Sequence, residues 1–209
     1  LSLHTGRDSG PFRGYAALNS KPLLALLMLV GLVACGTTEV RQPADVISTK
    51  PPMVFTVSEI TFVEPLVPET GTGFRDRMRS ERLADATLAF LEERLQLAGG
   101  DGWLQVVIEQ ARLVEEEIDA PSGVRATLTR EPDRVLDALL SVRVAVMGAD
   151  GLEQAFTEAE VQRRRPVLRN TSVMARDAEA ERLIGDLIGQ LDDELTQAAQ
   201  QFLGAHLLL

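Results

Sequence analysis

The stretch RVLDALLSVRVAVMGADGLEQAFTEAEVQ, residues 134–162, decides the fold. Its first half alternates polar or small residues with four apolar ones, Leu140, Val142, Val144 and Val146. This period of two predicts a strand with one buried face. The sequence Gly-Ala-Asp-Gly at 148–151 predicts a tight turn, and residues 154–162 predict a returning strand. Together they predict an antiparallel hairpin.

Upstream of this hairpin, the pattern predicts a strand, a helix and a second strand. Residues 54–63, VFTVSEITFV, are rich in β-branched and aromatic residues, which favour a strand. Residues 74–98 carry apolar side chains at helical spacing and are followed by two glycines, which predicts an amphipathic helix. Residues 103–114 predict the next strand. We expect a bulge near Glu109 and Gln110, because the apolar parity changes there.

Downstream of the hairpin, residues 172–203 predict the longest helix, with Thr171 or Ser172 as its N-cap. Its apolar stripe consists of Ile184, Leu187, Ile188, Leu191, Leu195, Ala198, Ala199 and Phe202. The order of elements is therefore β-α-β-β-β-α. This order predicts an α+β fold, a two-layer sandwich in which a mostly antiparallel sheet is packed by two amphipathic helices.

The amino-terminal region has the pattern of a secretory leader. Lys21 precedes a run without charged side chains, residues 22–34, which ends at Cys35, the only cysteine in the chain. Thirteen residues are too few to cross a bilayer as a helix, which takes roughly 20. The sequence LVAC at 32–35 resembles the lipobox of bacterial lipoproteins, which implies that Cys35 is acylated after cleavage before it. The alternative is a buried apolar helix that ends at an ordinary thiol.

The lipobox divides the chain into three predicted segments. Residues 1–34 are the leader, residues 35–53 are a lipidated cysteine with a proline-containing flexible tether, and residues 54–209 are a periplasmic α+β domain. Setting aside Arg7, Asp8, Arg13 and Lys21 reduces the 21 basic and 31 acidic residues to 18 and 30, a net charge of −12. This charge argues against a nucleic-acid partner.

The residues that catalysis or metal binding requires are scarce after the leader. The only histidine after residue 34 is His206, and Cys35 is assigned to lipid. We therefore expect no metal, no cofactor and no enzymatic activity. Acidic runs such as Asp192-Asp193 and Glu115-Glu116-Glu117 are interpreted as solvated faces. Acid–base catalysis by them is the less favoured alternative.

One basic cluster stands out in this acidic chain, Arg163-Arg164-Arg165. Phe156 breaks the polar alternation of the returning strand upstream of it. Arginine and aromatic side chains are common anchors of protein interfaces. These four residues are therefore predicted to form a partner-binding surface near the hairpin end and the turn that the three arginines would form. The anion that the arginines would bind is an acidic loop of the partner or a lipid phosphate. The alternative is that the arginines end the strand in water and that Phe156 packs under the final helix.

The lipobox, the tether and the order of elements resemble the lipopolysaccharide-assembly lipoprotein family. This resemblance implies an outer-membrane lipoprotein that faces the periplasm, attaches to the membrane through its lipid and helps a larger envelope membrane protein. Gly36 follows the cysteine, where inner-membrane retention would favour aspartate, which also indicates the outer membrane. The alternatives are an auxiliary lipoprotein of an ABC-type transport system and, less favoured, a periplasmic enzyme.

Overall fold

The computed structural model describes residues 50–63, 73–118 and 131–208, which all lie within one compact unit, residues 42–209. The helices and strands in chain order are β1 Met53–Phe55, β2 Glu59–Val63, α1 Phe74–Arg94, β3 Leu95–Leu97, β4 Trp103–Glu117, β5 Pro132–Met147, β6 Glu153–Leu168, α2 Val173–Phe202, a 3-10 turn Gly204–His206, and β7 Leu207–Leu208. The predicted α+β class is confirmed.

The predicted hairpin, β5–β6, forms half of a four-stranded sheet with the order β2-β4-β5-β6. Strand β2 is parallel to β4, and the other neighbours are antiparallel. In the turn, the Gly148 N–H donates to the Leu152 carbonyl over 2.8 Å and the Asp150 side chain accepts from the Leu152 N–H. The bulge is confirmed, because the register of β4 shifts between Ile108 and Gln110.

Both helices pack on one face of this sheet, and the core lies between the two layers. The stripe of α2 faces the core, since Leu187 and Leu191 are fully buried. The helix begins as predicted, because the Ser172 side chain accepts a hydrogen bond from the Ala175 N–H. The opposite face of the sheet carries ion pairs such as Arg112–Asp137, which is usual for the solvated face of an antiparallel sheet.

The single first strand predicted over residues 54–63 is wrong, because two short strands in different sheets replace it. Strand β1 pairs with β3 in parallel and with β7 in antiparallel fashion, which forms a small second sheet. Between the two strands, the Thr56 N–H donates to the His206 carbonyl and the Ser58 N–H to the Gly102 carbonyl. These tertiary partners carry the chain from one sheet to the other.

Two further predicted boundaries are wrong. Helix α1 ends at Arg94 rather than at 98, because residues 95–97 form a strand against β1. Strand β6 continues through the three arginines to Leu168 instead of ending at 162. Pro166 is tolerated there because β6 is the edge strand of its sheet.

Candidate functional site

A pocket of about 240 Å³ opens at the end of the sheet where both helices begin. The side chains that line it come from α1, β4, β5 and α2, and they are Arg75, Asp76, Arg79, Glu115, Arg134, Val173 and Arg176. Four of these seven residues are arginines. We refer to this site as the arginine pocket.

Glu115 is the central acceptor of the arginine pocket. Its carboxylate accepts hydrogen bonds from Arg79 over 3.0 Å, from Arg134 over 3.0 Å and from Arg176 over 2.7 Å. Burial works to raise the pKa of the Glu115 carboxyl, since only 9% of the side chain is exposed, but the three guanidinium groups outweigh burial and hold its pKa below the ordinary value. Glu115 is therefore ionised at neutral pH and joins three elements.

Arg79 is the most deeply buried cation of the pocket, with 8% of its side chain exposed. Besides Glu115, it donates to the Asp177 carboxylate over 2.9 Å. Burial acts to lower the pKa of Arg79, but the hydrogen bonds to Asp177 and Glu115 raise it above its ordinary value. Asp76 lies 3.7 Å from Arg79 and also accepts the Glu115 backbone N–H over 3.2 Å.

Several N–H donors of the pocket have no acceptor among the residues that the structure describes. The Nε atoms of Arg79 and Arg176 are buried and make no hydrogen bond there. Arg75 is exposed, lines the pocket and has no ion pair or hydrogen bond to another described side chain. Buried polar groups are normally paired, so the arginine pocket has unused capacity to donate hydrogen bonds.

One feature of the sequence is explained by this site. Arg75 and Arg79 lie in the first turns of α1, where the helix dipole disfavours cations. Their partner Glu115 and the cations Arg134 and Arg176 come from elements distant in sequence. The interpretation of Glu115 and Asp192 as solvated is wrong: the Glu115 side chain is 9% exposed and Asp192 is 6% exposed.

The structure places Arg163, Arg164 and Arg165 within β6 rather than at a turn. Alternation along the strand divides them between the two faces of the sheet. Arg163 and Arg165 turn toward α2, where both contact Asp186, at 3.7 and 2.5 Å. Arg164 lies on the face opposite the helices, 3.3 Å from Glu116 and 3.7 Å from Asp137. The cluster is therefore not one continuous patch.

Phe156 lies at the hairpin end of β6, far from these arginines. Eight residues of extended strand separate it from Arg164, about 26 Å at 3.3 Å per residue. Its side chain shares the face opposite the helices and is 48% exposed, and the Arg143 guanidinium lies 4.4 Å from the centre of its ring. Phe156 does not pack under α2.

The other predicted sites are placed as follows. Cys35 lies outside the described residues. His206 is in the 3-10 turn after α2 and uses its backbone carbonyl to accept from Thr56.

Within the part of the chain that the structure describes, no helix has the length and apolar character needed to cross a membrane. Over the same residues, no group of three or more His, Cys, Asp and Glu side chains is arranged to hold a metal ion.

No protein-family model matches the chain, and no curated protein matches it by sequence. Among solved structures, it is similar to the uncharacterized lipoprotein B from Nitrosomonas europaea, at 17% identity and a TM-score of 0.40, over 70% of this chain and 84% of that one. It is also similar to a minor lipoprotein from Acinetobacter baumannii, at 10% identity and a TM-score of 0.38, over 76% of this chain and 99% of that one. The rare lipoprotein B from Shewanella oneidensis matches at 15% identity and a TM-score of 0.36, over 71% of this chain and 95% of that one. At these values the similarities assign neither a family nor a function.

Proposed function

We propose that this chain is a bacterial envelope lipoprotein that acts as a non-enzymatic accessory factor of a membrane complex. The observation that carries the proposal is the sequence LVAC at 32–35, in which the sole cysteine follows a short apolar segment headed by Lys21. Lipidation of Cys35 would anchor the chain, because two or more acyl chains hold a protein firmly at a membrane.

The reach of the anchor supports a role at a distance from the lipid. Fourteen residues separate Cys35 from Lys50, the first residue that the structure describes. Fully extended, a segment of this length spans about 46 Å. A domain held in this way can meet a larger envelope protein in the periplasm while it remains attached to the outer membrane.

The accessory role that we propose first is in lipopolysaccharide assembly, because the order of elements in the sequence resembles that of the lipopolysaccharide-assembly lipoprotein family. The second candidate is an auxiliary lipoprotein of an ABC-type transport system. Both roles require a stable protein partner and no turnover. An enzymatic role is less favoured, because the sequence after the leader has one histidine and no cysteine other than the proposed lipid attachment point.

Mass spectrometry of the chain extracted from membranes tests the anchor. We expect an amino-terminal acylated Cys35 and no residues 1–34. Cys35→Ala should remain an uncleaved precursor, whereas the control Ala34→Gly keeps a small residue at the cleavage site and should be processed. An unmodified thiol in a chain that retains the leader would refute the anchor.

A native pull-down in mild detergent tests the accessory role. We expect the chain to retain one larger membrane protein, and the identity of that protein separates lipopolysaccharide assembly from a transport system. Sedimentation with outer-membrane markers is the expected location. Purification without a stoichiometric partner, together with turnover of a substrate, would favour the enzymatic alternative.

A further inference from the structure

We propose that the arginine pocket binds a phosphate group. This site goes beyond the accessory role, because it does not depend on lipidation of Cys35 or on the identity of a protein partner. The proposal rests on three features of the described residues: unused hydrogen-bond donors, two convergent helix N-termini and the size of the cavity.

The unused donors are the first argument. Each guanidinium carries five N–H groups. The Nε atoms of Arg79 and Arg176 are buried without an acceptor, and Arg79 is more than nine-tenths buried. Arg75 adds a complete guanidinium that pairs with no described side chain. An anion that entered the pocket would meet the guanidinium of Arg75, and it would reach the two buried Nε atoms only after those side chains shifted toward it.

The helix termini are the second argument. Arg75 and Asp76 belong to the first turn of α1, and Val173 and Arg176 to the first turn of α2. The positive ends of two helix dipoles therefore meet at one pocket, and backbone N–H groups at such ends are suited to anions. The Asp76 carboxylate already lies in the first turn of α1. The part of the pocket that remains available to an added anion is therefore the part lined by Arg75 and Arg176.

The arginines and carboxylates at the pocket are equal in number, but their pairing is uneven and leaves Arg75 and Arg176 the least compensated. The lining contains four arginines and two carboxylates, Asp76 and Glu115. Two more carboxylates outside the lining, Asp177 and Glu117, pair with Arg79 and Arg134. No carboxylate of the described residues is bonded to Arg75, and Arg176 pairs with Glu115 through one Nη atom only.

The geometry favours phosphate over a carboxylate. Guanidinium groups bind phosphate oxygens in bidentate fashion, and a tetrahedral phosphate can accept from donors that approach from several directions. A carboxylate has two oxygens in one plane, and Glu115 already fills that role in the pocket. A cavity of about 240 Å³ has room for a phosphate together with part of the group that carries it.

The phosphate has two possible sources, a free phosphate ester and a lipid headgroup. Apolar side chains at the same helix ends fit the second source. Val173 lines the pocket and is 37% exposed, while Phe74 and Met174, which adjoin lining residues in the sequence, are 73% and 84% exposed. An acyl chain attached to the bound phosphate would contact such side chains.

Isothermal titration of the full chain in detergent with inorganic phosphate, at fixed ionic strength, tests the site. Arg75→Gln should weaken phosphate binding about tenfold, the effect of losing one charge-assisted hydrogen bond. Arg77→Gln is the matched control, because Arg77 is also exposed, lies two residues away in α1, outside the pocket lining, and the substitution removes the same charge. Its affinity for phosphate should equal that of the wild type.

A second variant and two further probes complete the test. Arg176→Lys keeps the charge near Glu115 but removes an Nε donor, and it should weaken phosphate binding while circular dichroism stays unchanged. A water-soluble short-chain phosphatidic acid should bind more tightly than inorganic phosphate if the source is lipid, and no more tightly if it is a free ester. Acetate should bind more weakly than phosphate. No phosphate binding, equal loss in Arg75→Gln and Arg77→Gln, or equal affinity for acetate would overturn the proposal.

Discussion

The Arg94 guanidinium donates from Nε to the Asp192 carboxylate over 2.7 Å, and the two side chains are only 2% and 8% exposed. This ion pair joins the last turn of α1 to α2. The same guanidinium donates to the Thr196 hydroxyl over 3.0 Å and to the Pro51 carbonyl, which precedes β1. One side chain therefore holds both helices and the segment before β1 together.

Replacement of Arg94 should destabilise the fold strongly. Arg94→Ala leaves Asp192 buried without its guanidinium partner, which typically costs about 3–5 kcal/mol of unfolding free energy. Arg182→Ala is the control: Arg182 pairs with Glu179 but is 64% exposed, so its loss should cost less than about 1 kcal/mol. Urea unfolding followed by circular dichroism measures both. Equal midpoints for the two variants would show that the buried pair does not hold the helices together.

The carboxylate of Glu115 should make stability depend on pH in the acid range. Its pKa in the fold is below the ordinary value of 4.5, so its contribution is complete above about pH 4.5 and is lost as the pH falls through the folded-state pKa. Glu115→Gln should lower the free energy of unfolding by about 3 kcal/mol at neutral pH, because three arginines lose the negative charge that they share. The difference from wild type should shrink as the pH falls.

The control for this titration is Glu117→Gln. Among the residues that the structure describes, Glu117 pairs with Arg134 alone, and it is 78% exposed, so its substitution should change stability by less than about 1 kcal/mol. Urea midpoints measured from neutral pH down to below the folded pKa give both curves. A wild type and a Glu115→Gln variant with parallel pH profiles would contradict the assignment.

The sequence predicts this fold best where patterns are local. The hairpin, the bulge at Glu109 and the start of α2 at Ser172 each depend on a few neighbouring residues, and each is confirmed. The division of residues 54–63 between two sheets was not predictable, because the β-branched pattern is continuous while hydrogen bonds donated to the Gly102 and His206 carbonyls decide the break.

The arginine pocket was not predictable for the same reason. Arg79, Glu115 and Arg176 lie 36 or more residues apart, and no spacing in the sequence relates them. Leu95 shows the reverse case: it continues the helical stripe of α1 in the sequence, yet it is buried as the first residue of β3. An apolar residue at this position suits either the buried stripe of a helix or a buried strand. Pairing with β1 makes it part of a strand.

Gly102 should tolerate no side chain. Its φ of +78° is unfavourable for other residues, and a Cβ there would lie 2.0 Å from the Met147 carbonyl oxygen. Gly102→Ala should therefore lower the free energy of unfolding by about 3 kcal/mol, from strain and displaced backbone. Gly185→Ala in α2 is the control, because a Cβ there meets nothing within 4 Å. It should raise stability by about 0.5–1 kcal/mol. Thermal unfolding measures both variants. If the unfolding temperatures of both were above that of the wild type, or both below it, the predicted difference would be contradicted.

The division of the basic cluster between two faces sharpens the test of partner binding. Arg164 shares the face opposite the helices with Phe156, whereas Arg163 turns toward α2 and donates to Gln190 over 3.0 Å. If the partner binds the face opposite the helices, Arg164→Ser and Phe156→Ser should each reduce the amount of membrane partner retained in the native pull-down. Arg163→Ser is then the matched control and should retain the wild-type amount.

Stability should not account for the result, because Arg163 and Arg164 are 47% and 57% exposed and surface ion pairs contribute less than about 1 kcal/mol each. Urea midpoints of the two variants should agree with that of the wild type within this limit. The effect of Arg164→Ser should be larger at low salt, where charge attraction is least screened. Equal retention by all three variants, at every salt concentration, would exclude this face as the partner site.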